Sequence, residues 1–210
     1  MIRVLLADDH ALVRRGLRQL LEELSDVEIV GEVADGGEVA DAVRRFRPDV
    51  LLLDISMPGG NFLDLLGSFG GIEPRMRTVV VSTHSEVVYA RRAIRAGAAG
   101  YVAKASSDAD LVTAVRVAAR GGRYVSPSFA QELACDLAAG TTGAPHERLT
   151  NREFQVLLLL AAGNSVSEIA KMLSLSVKTI STHRSRLLAK MDMTTNAELV
   201  RYALAHALIA

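Results

Sequence analysis

The sequence predicts an α/β domain built on a doubly wound, five-stranded parallel sheet, followed by a small all-α domain of four helices. Three observations carry this. Five short apolar, β-branched runs alternate with five helix-period stretches over residues 1–120, the pattern of a parallel sheet with crossover helices. The run Val50-Leu51-Leu52-Leu53 is apolar at every residue, as a strand covered on both faces must be. From Leu149 onward the pattern is wholly helical, with three capping signals, each followed by apolar spacing.

In order, the predicted strands are Val4–Ala7, Val27–Val33, Val50–Leu53, Thr78–Val81 and Tyr101–Ala103. The predicted helices between and after them are Ala11–Leu24, Glu38–Phe46, Phe62–Leu66, Glu86–Ala96 and Asp108–Arg120. Gly97 and Gly100 punctuate the way into the fifth strand, and Gly121-Gly122 ends the fifth helix. Ser126-Pro127 starts a short helix through Leu137. Gly140-Thr141-Thr142-Gly143-Ala144-Pro145 is then the most linker-like stretch. This gives three parts: a first domain over 1–120, a linker with a short helix over 121–146, and a second domain over 147–210. Thr150…Glu153, Ser165…Glu168 and Thr195…Glu198 fit capping boxes, and Gly163 sits where a helix end wants it. The four helices fall near 151–162, 166–173, 177–191 and 196–207.

Composition excludes several classes. Lys+Arg is 24 and Asp+Glu is 24, and half of the residues are apolar, which rules out a largely disordered chain. The longest wholly apolar run is Val156–Ala162, far short of the ~20 residues that span a bilayer. Asp8 and Asp9 interrupt any signal-peptide core. A lone cysteine, Cys135, forms no internal disulfide and suits a reducing cytoplasm. It is expected to pack on the linker helix. The balanced charge hides an asymmetry. Residues 147–210 carry eight basic and five acidic side chains, against fifteen and seventeen in residues 1–120. Lys178, Arg184, Arg186 and Lys190 fall within 177–191, which holds no acid.

In an open parallel sheet, functional groups collect at the carboxyl ends of the strands. Here the first strand ends in Asp8-Asp9, the third in Asp54 and the fourth in Ser82, and Lys104 lies just beyond the fifth. Three carboxylates in one crevice repel unless a cation holds them. Hard oxygen ligands suit Mg²⁺ or Mn²⁺, and few protein ligands suit Mg²⁺. Lys104 supplies a point charge for an anion and Ser82 a hydroxyl. Together they describe a phosphoryl-handling site, in which an Asp carboxylate can be the nucleophile.

In the C-terminal part, Ser165–Met191 reads as helix, tight turn, basic helix. Val177, Ile180, Leu187, Leu188 and Met191 mark the core side of the second helix. Lys178, Ser181, Thr182 and Ser185 lie away from it. Their hydroxyls can meet base edges, while Lys178, Arg184 and Arg186 suit phosphates. Composition leaves open a plain surface helix of an ordinary bundle. The histidines, His10, His84, His146, His183 and His206, are scattered without metal-ligand spacing. His183 falls on the apolar side of its helix and is expected to be semi-buried.

Longer motifs break the tie. Leu5-Leu6-Ala7-Asp8-Asp9-His10, Leu53-Asp54-Ile55-Ser56-Met57-Pro58-Gly59, Val81-Ser82 and the run Ala96–Lys104 resemble the receiver domain of two-component response regulators. Leu149–Glu153, Ser167-Glu168-Ile169-Ala170 and Val177-Lys178-Thr179-Ile180-Ser181-Thr182-His183 resemble the LuxR-type helix-turn-helix. The layout is similar to the NarL/FixJ family. The resemblance implies a flavodoxin-like receiver with Asp54 as phosphoacceptor. Asp8, Asp9, Asp54 and the backbone carbonyl of Ser56 would serve Mg²⁺, and Lys104 would pair with the phosphoryl group. Ser82 and Tyr101 would be the switch pair. Thr83 is an adjacent rival, but the spacing of Ser82 from Asp54 and Lys104 matches the family. For the second domain it implies DNA contacts along Lys178, Thr179, Ser181, Thr182, Arg184, Ser185 and Arg186. It also implies a dimer contact on the last helix, around Leu199, Val200, Tyr202 and Ala203, residues that serve equally as core. The implied partners are a sensor histidine kinase, double-stranded DNA and a second copy of the chain, with RNA polymerase a candidate and no membrane.

Two positions depart from the family pattern. Phe62 stands where Gly is usual, with Gly59-Gly60 just before it. Ala105 follows the lysine where many receivers have Pro, so no cis peptide is expected there. The expected function is a phosphorylation-gated transcription regulator and not an enzyme. The alternative is a DNA-binding regulator with a degenerate receiver, indifferent to phosphate. An aspartyl-phosphate phosphatase of the haloacid-dehalogenase type needs a second Asp two residues after the nucleophile, and Ser56 stands there. A flavin module is disfavoured by an aromatic content of 4% with no Trp.

Overall fold

The computed structural model describes residues 1–58, 62–82, 86–139, 144–173, 175–206 and 208–209. The chain packs as two compact units, Met1–Ala139 and Gly140–Ala210. No helix among the described residues is long and apolar enough to cross a membrane.

The first unit alternates strands and helices: β1 (Ile2–Ala7), α1 (Ala11–Glu22), β2 (Val27–Val33), α2 (Gly36–Phe46), β3 (Val50–Asp54), α3 (Phe62–Ile72), β4 (Arg77–Ser82), α4 (Glu86–Arg95), β5 (Gly100–Ala103), α5 (Asp108–Ala119) and α6 (Pro127–Ala139). The strands form one sheet in the order β2-β1-β3-β4-β5, with every pairing parallel. Crossovers on both sides of β1 create the crevice at the carboxyl edge where ligands bind in doubly wound sheets. Strand β3 is buried at all five residues, as its unbroken apolar run requires.

Side-chain alternation divides the core into two layers. Val4 and Leu6, Val50 and Leu52, Val79 and Val81, and Val102 pack in one layer with Leu21 of α1 and Leu111, Ala114, Val115 and Ala118 of α5. The opposite face carries Leu5, Leu51, Leu53, Val80 and Tyr101, all fully buried.

Several expectations change at element ends. Helix α3 continues to Ile72 although Gly67, Gly70 and Gly71 argue for a stop at Leu66. Phe69 is 4% exposed, and burying an aromatic ring outweighs roughly 1 kcal/mol per helical glycine. Helix α2 begins at Gly36, two residues early, because the Asp35 side chain caps the Gly37 N–H at 2.7 Å. Helix α1 stops at Glu22, and Leu24 instead turns back to bond Leu21. Cys135 is exposed, not packed. Phe129, four residues before Leu133, is buried, and Cys135 lies about 200° further round from Leu133.

The second unit holds a 3₁₀ turn (Pro145–Arg148), unforeseen in the sequence, and α7 (Asn151–Ala161), α8 (Val166–Met172), α9 (Val177–Met191) and α10 (Asn196–Ala205). All three expected capping boxes form. Gly163 adopts φ +90 after α7, and the amides of Gly163 and Asn164 return to the carbonyls of Leu160 and Leu159. That αL closure favours glycine. A fourth capping box, Ser107 with Asp110 on α5, was hidden because Asp, not Glu, occupies its third position.

Candidate phosphoryl site and nucleic-acid interface

Asp8 and Lys104, just past β1 and β5, and Asp54, the last residue of β3, continue the side-chain alternation of their strands, so one sheet face delivers all three to one crevice. Asp8 and Asp54 are each only 2% exposed. Lys104 Nζ lies 2.6 Å from Asp8 Oδ2 and 2.9 Å from Asp54 Oδ2. Burial alone would lower the Lys104 ammonium, but its hydrogen bonds to the two carboxylates outweigh burial and hold its pKa above the ordinary value. The Lys104 amide donates to Ser82 O at 2.7 Å, which fixes where the side chain starts. The backbone orders the carboxylates: His10 N–H donates to Asp8 Oδ1 at 2.7 Å, and Ser56 N–H to Asp54 Oδ1 at 3.3 Å.

Asp9 sits at the mouth, with 31% of its side chain exposed. Ligand atoms of Asp8, Asp9, His10 and Asp54 all lie within 4.8 Å of one another. His10 has no metal-ligand spacing with the other histidines. The fold instead turns its Nδ1 to 2.8 Å from Asp9 Oδ1 and 3.9 Å from Asp54 Oδ2. Its adjacency to Asp8-Asp9 was the signal available. Three carboxylates and an imidazole compose a donor set that fits a divalent cation.

Ser82 and Tyr101 are both fully buried. Ser82 pairs with Ala103 and Tyr101 with Val80 across β4 and β5, so both side chains leave the same sheet face, opposite to Asp54. The rival hydroxyl, Thr83, lies outside the described residues, as do Gly59, Gly60 and His84. Phe62 is 8% exposed, with its ring 6.4 Å from that of Tyr89 on α4. The Lys104–Ala105 bond is trans.

In the second unit, α8 and α9 form the helix, tight turn and helix. The Leu175 amide closes the turn onto Ala170 O at 2.9 Å, and Ser176 caps α9 through the Thr179 N–H at 3.0 Å. Lys178, Ser181, Thr182, Ser185 and Arg186 are exposed along one stripe, and Thr179 is half-buried. The Thr182 and Ser185 hydroxyls donate to Lys178 O and Ser181 O, each at 3.0 Å, leaving their lone pairs outward. Arg184 is half-buried and spends its Nε on Asn196 Oδ1 at 2.8 Å, so part of its guanidinium is structural. Val177, expected in the core, is 51% exposed. It is the first residue of α9, whereas Ile180, Leu187, Leu188 and Met191 further along are buried as expected.

Two further contacts were invisible as sequence. Lys190, counted among the basic helix residues, bonds Glu153 at 2.7 Å, although Glu153 is only 3% exposed. That carboxylate also accepts the Thr150 N–H, so it both caps α7 and ties it to α9. His146 and His206, apparently scattered, meet around Tyr202: His146 Nδ1 is 2.8 Å from the Tyr202 hydroxyl, and the Tyr202 and His206 rings are 4.2 Å apart.

The response regulator receiver domain matches residues 4–116, and the luxR family of bacterial regulatory proteins matches residues 147–203. Response regulator GacA of Pseudomonas viridiflava is 35% identical over 210 residues, covering 100% of this chain and 98% of that protein. Response regulator UvrY of Escherichia coli K12 is 34% identical over 209 residues, covering 99% of this chain and 96% of that protein. RcsB from Salmonella enterica serovar Typhimurium, solved on promoter rprA with the phosphomimetic BeF3-, superposes with a TM-score of 0.71 at 28% identity, covering 96% of this chain and 97% of that one.

Proposed function

This chain belongs to the response regulators that join a receiver domain to a luxR-type DNA-binding domain, and from that premise we propose that phosphorylation of Asp54 governs how it binds DNA. The observation that carries this is the Lys104 ammonium held between two buried carboxylates, Asp8 and Asp54. We assign the receiver to 1–120, the linker to 121–146 and the DNA-binding domain to 147–210.

The phosphodonor is a sensor histidine kinase. An Asp54 oxygen attacks phosphorus, the P–N bond to the donor imidazole breaks, and an acyl phosphate forms. Asp8, Asp9, Asp54 and the Ser56 carbonyl would hold Mg²⁺, with the His10 imidazole beside them. The ion, when bound, neutralises charge on the transferring group. Lys104 leaves its present position between the carboxylates and pairs with a phosphoryl oxygen. The Ser82 hydroxyl turns toward another. Tyr101, already buried, keeps the space behind it filled. Ser56 supplies no general acid where a phosphatase places Asp, so steady turnover of phosphate esters is not expected.

In the DNA-binding domain, α9 enters the major groove. Ser181, Thr182 and Ser185 face base edges. Lys178, Thr179 and Arg186 face the backbone, with the free nitrogens of Arg184. Two copies bind a two-fold-symmetric site. The setting is the cytoplasm, and RNA polymerase is a further partner.

Nothing favours the degenerate-receiver alternative, and the closeness of Lys104 to Asp8 and Asp54 supports a working receiver. The test is intact mass after acetyl phosphate, with and without Mg²⁺, on wild type and Asp54→Ala. One Mg²⁺-dependent phosphoryl group on wild type alone is expected. Its absence on wild type would turn attention to control of DNA binding by something other than phosphate.

A further inference from the structure

We infer that Tyr124 is a strap that couples strand β5 and helix α5 of the receiver to the chain leaving it, so that the Asp54 signal leaves the receiver through this residue. The inference rests on the reading under Proposed function.

Strand β5 is the outer strand of the sheet, bonded on one side to β4. On its open side the chain returns after α5, and a parallel bridge pairs Gly100 with Tyr124. The Tyr124 amide donates to Ala99 O at 2.8 Å. Its hydroxyl reaches the other way and donates to Asp110 Oδ1 at 2.8 Å. The second oxygen of that carboxylate accepts the Ser107 amide at 3.2 Å and the Ser107 hydroxyl at 2.7 Å. One tyrosine therefore bonds β5 through its backbone and the α5 cap through its side chain.

The approach to β5 is built for this. A Cβ at Gly100 would lie 3.1 Å from Tyr124 O and 3.3 Å from Tyr124 Cβ. Only the missing side chain at Gly100 lets the returning chain lie this close. An edge strand left bare would expose a row of unpaired backbone groups, so the strap also covers it.

The position of the strap gives it a job. Residue 101, next along β5 from Gly100, is the buried switch tyrosine. Lys104 lies on the short segment between β5 and α5, the two elements to which Tyr124 is bonded. If Lys104 shifts toward a phosphoryl oxygen, that segment moves, and β5 and the α5 cap change their separation. Tyr124 cannot keep both hydrogen bonds unless it moves with them. Two residues later, Pro127 opens α6, the last helix before the DNA-binding unit. Coupling of this kind is reciprocal and resides in a bonded element that both sites bias.

The test is hydrogen exchange on the full chain, with and without acetyl phosphate and Mg²⁺, while intact mass follows phosphoryl uptake. Wild type, Tyr124→Phe and Gly100→Ala are compared. In wild type, phosphorylation is expected to change exchange across residues 121–139 by about fivefold. Tyr124→Phe removes only the hydroxyl, and Gly100→Ala pushes the strap away. Both are expected to take up phosphate and to keep the response at residues 101–107, but to lose most of it at 127–139. A merely structural role would raise exchange equally in both phosphorylation states and leave the response intact. That outcome, or a wild type whose 121–139 segment ignores phosphorylation, overturns the strap alone. No phosphoryl adduct on wild type overturns the phosphorylation reading and the strap with it.

Discussion

Lys104 Nζ stands 2.9 Å from Asp54 Oδ2, and the two residues are fifty positions apart in the chain. The ammonium also reaches Asp8 at 2.6 Å. One cation thus bridges two carboxylates that the sheet has buried side by side and leaves them one negative charge in excess, so a metal entering the crevice competes with Lys104 for the carboxylates and an anion competes with the carboxylates for Lys104.

Lys104→Met removes that cation. Leaving buried carboxylates without a partner costs about 3 kcal/mol, and a divalent ion should restore part of it. Urea unfolding of the variant with and without Mg²⁺ measures both effects. An equal response of wild type and variant to Mg²⁺ would contradict the competition.

His10→Ala tests the imidazole that the fold turns toward the carboxylates. A nitrogen donor favours Mn²⁺ over Mg²⁺. The variant should therefore lose more affinity for Mn²⁺ than for Mg²⁺, by calorimetric titration of each ion.

The His183 imidazole in α9 is held below its ordinary pKa, first by burial and then by Arg152. Its Nδ1 is buried without a hydrogen-bond partner among the described residues. The unfolded chain, with a His pKa near ~6.5, takes up the proton first. Stability is therefore full above that pH and falls as pH drops toward the folded-state pKa. Protection of the residue 177–191 amides in the full chain, corrected for base-catalysed intrinsic exchange, should fall between pH 7 and 5.5. In His183→Gln this loss of protection should vanish.

Glu153→Gln should weaken the second unit by roughly 1 kcal/mol, since the acceptor for Lys190 loses its charge while an amide oxygen still accepts the Thr150 N–H and completes the capping box. Burial opposes the Glu153 charge, but Lys190 and the Thr150 cap hold its pKa below the ordinary value. Its contribution is thus present above about pH 4.5 and lost in acid. Denaturant unfolding at neutral pH and at pH 3.5 should show the difference between wild type and variant shrinking.

On DNA, Arg186→Ala should reduce the salt slope of binding to a mixed-sequence duplex by about 1. Thr182→Ala should leave that slope unchanged and alter the sequences recovered by selection from a randomised pool. A slope change in the second variant would move Thr182 from base edges to backbone.

Much of this was legible in the chain itself, because the deciding interactions are local. Val50–Leu53 needs no partner to declare a strand buried on both faces. Thr150, Ser165 and Thr195 cap helices with residues three positions on, and Gly163 closes one by its own backbone freedom. The strand ends carry Asp8, Asp54, Ser82 and Lys104 at the edge where parallel topology puts a crevice. Tertiary structure decided whatever joins residues distant in sequence. It alone brought His10 near Asp54, His146 against Tyr202, Lys190 onto Glu153 and Tyr124 onto Gly100. It also carried α3 through three glycines for the sake of Phe69, and left Val177 in solvent although its spacing marks it as core. Periodicity reports which face a residue shares along its own element. It cannot report what the rest of the chain places against that face.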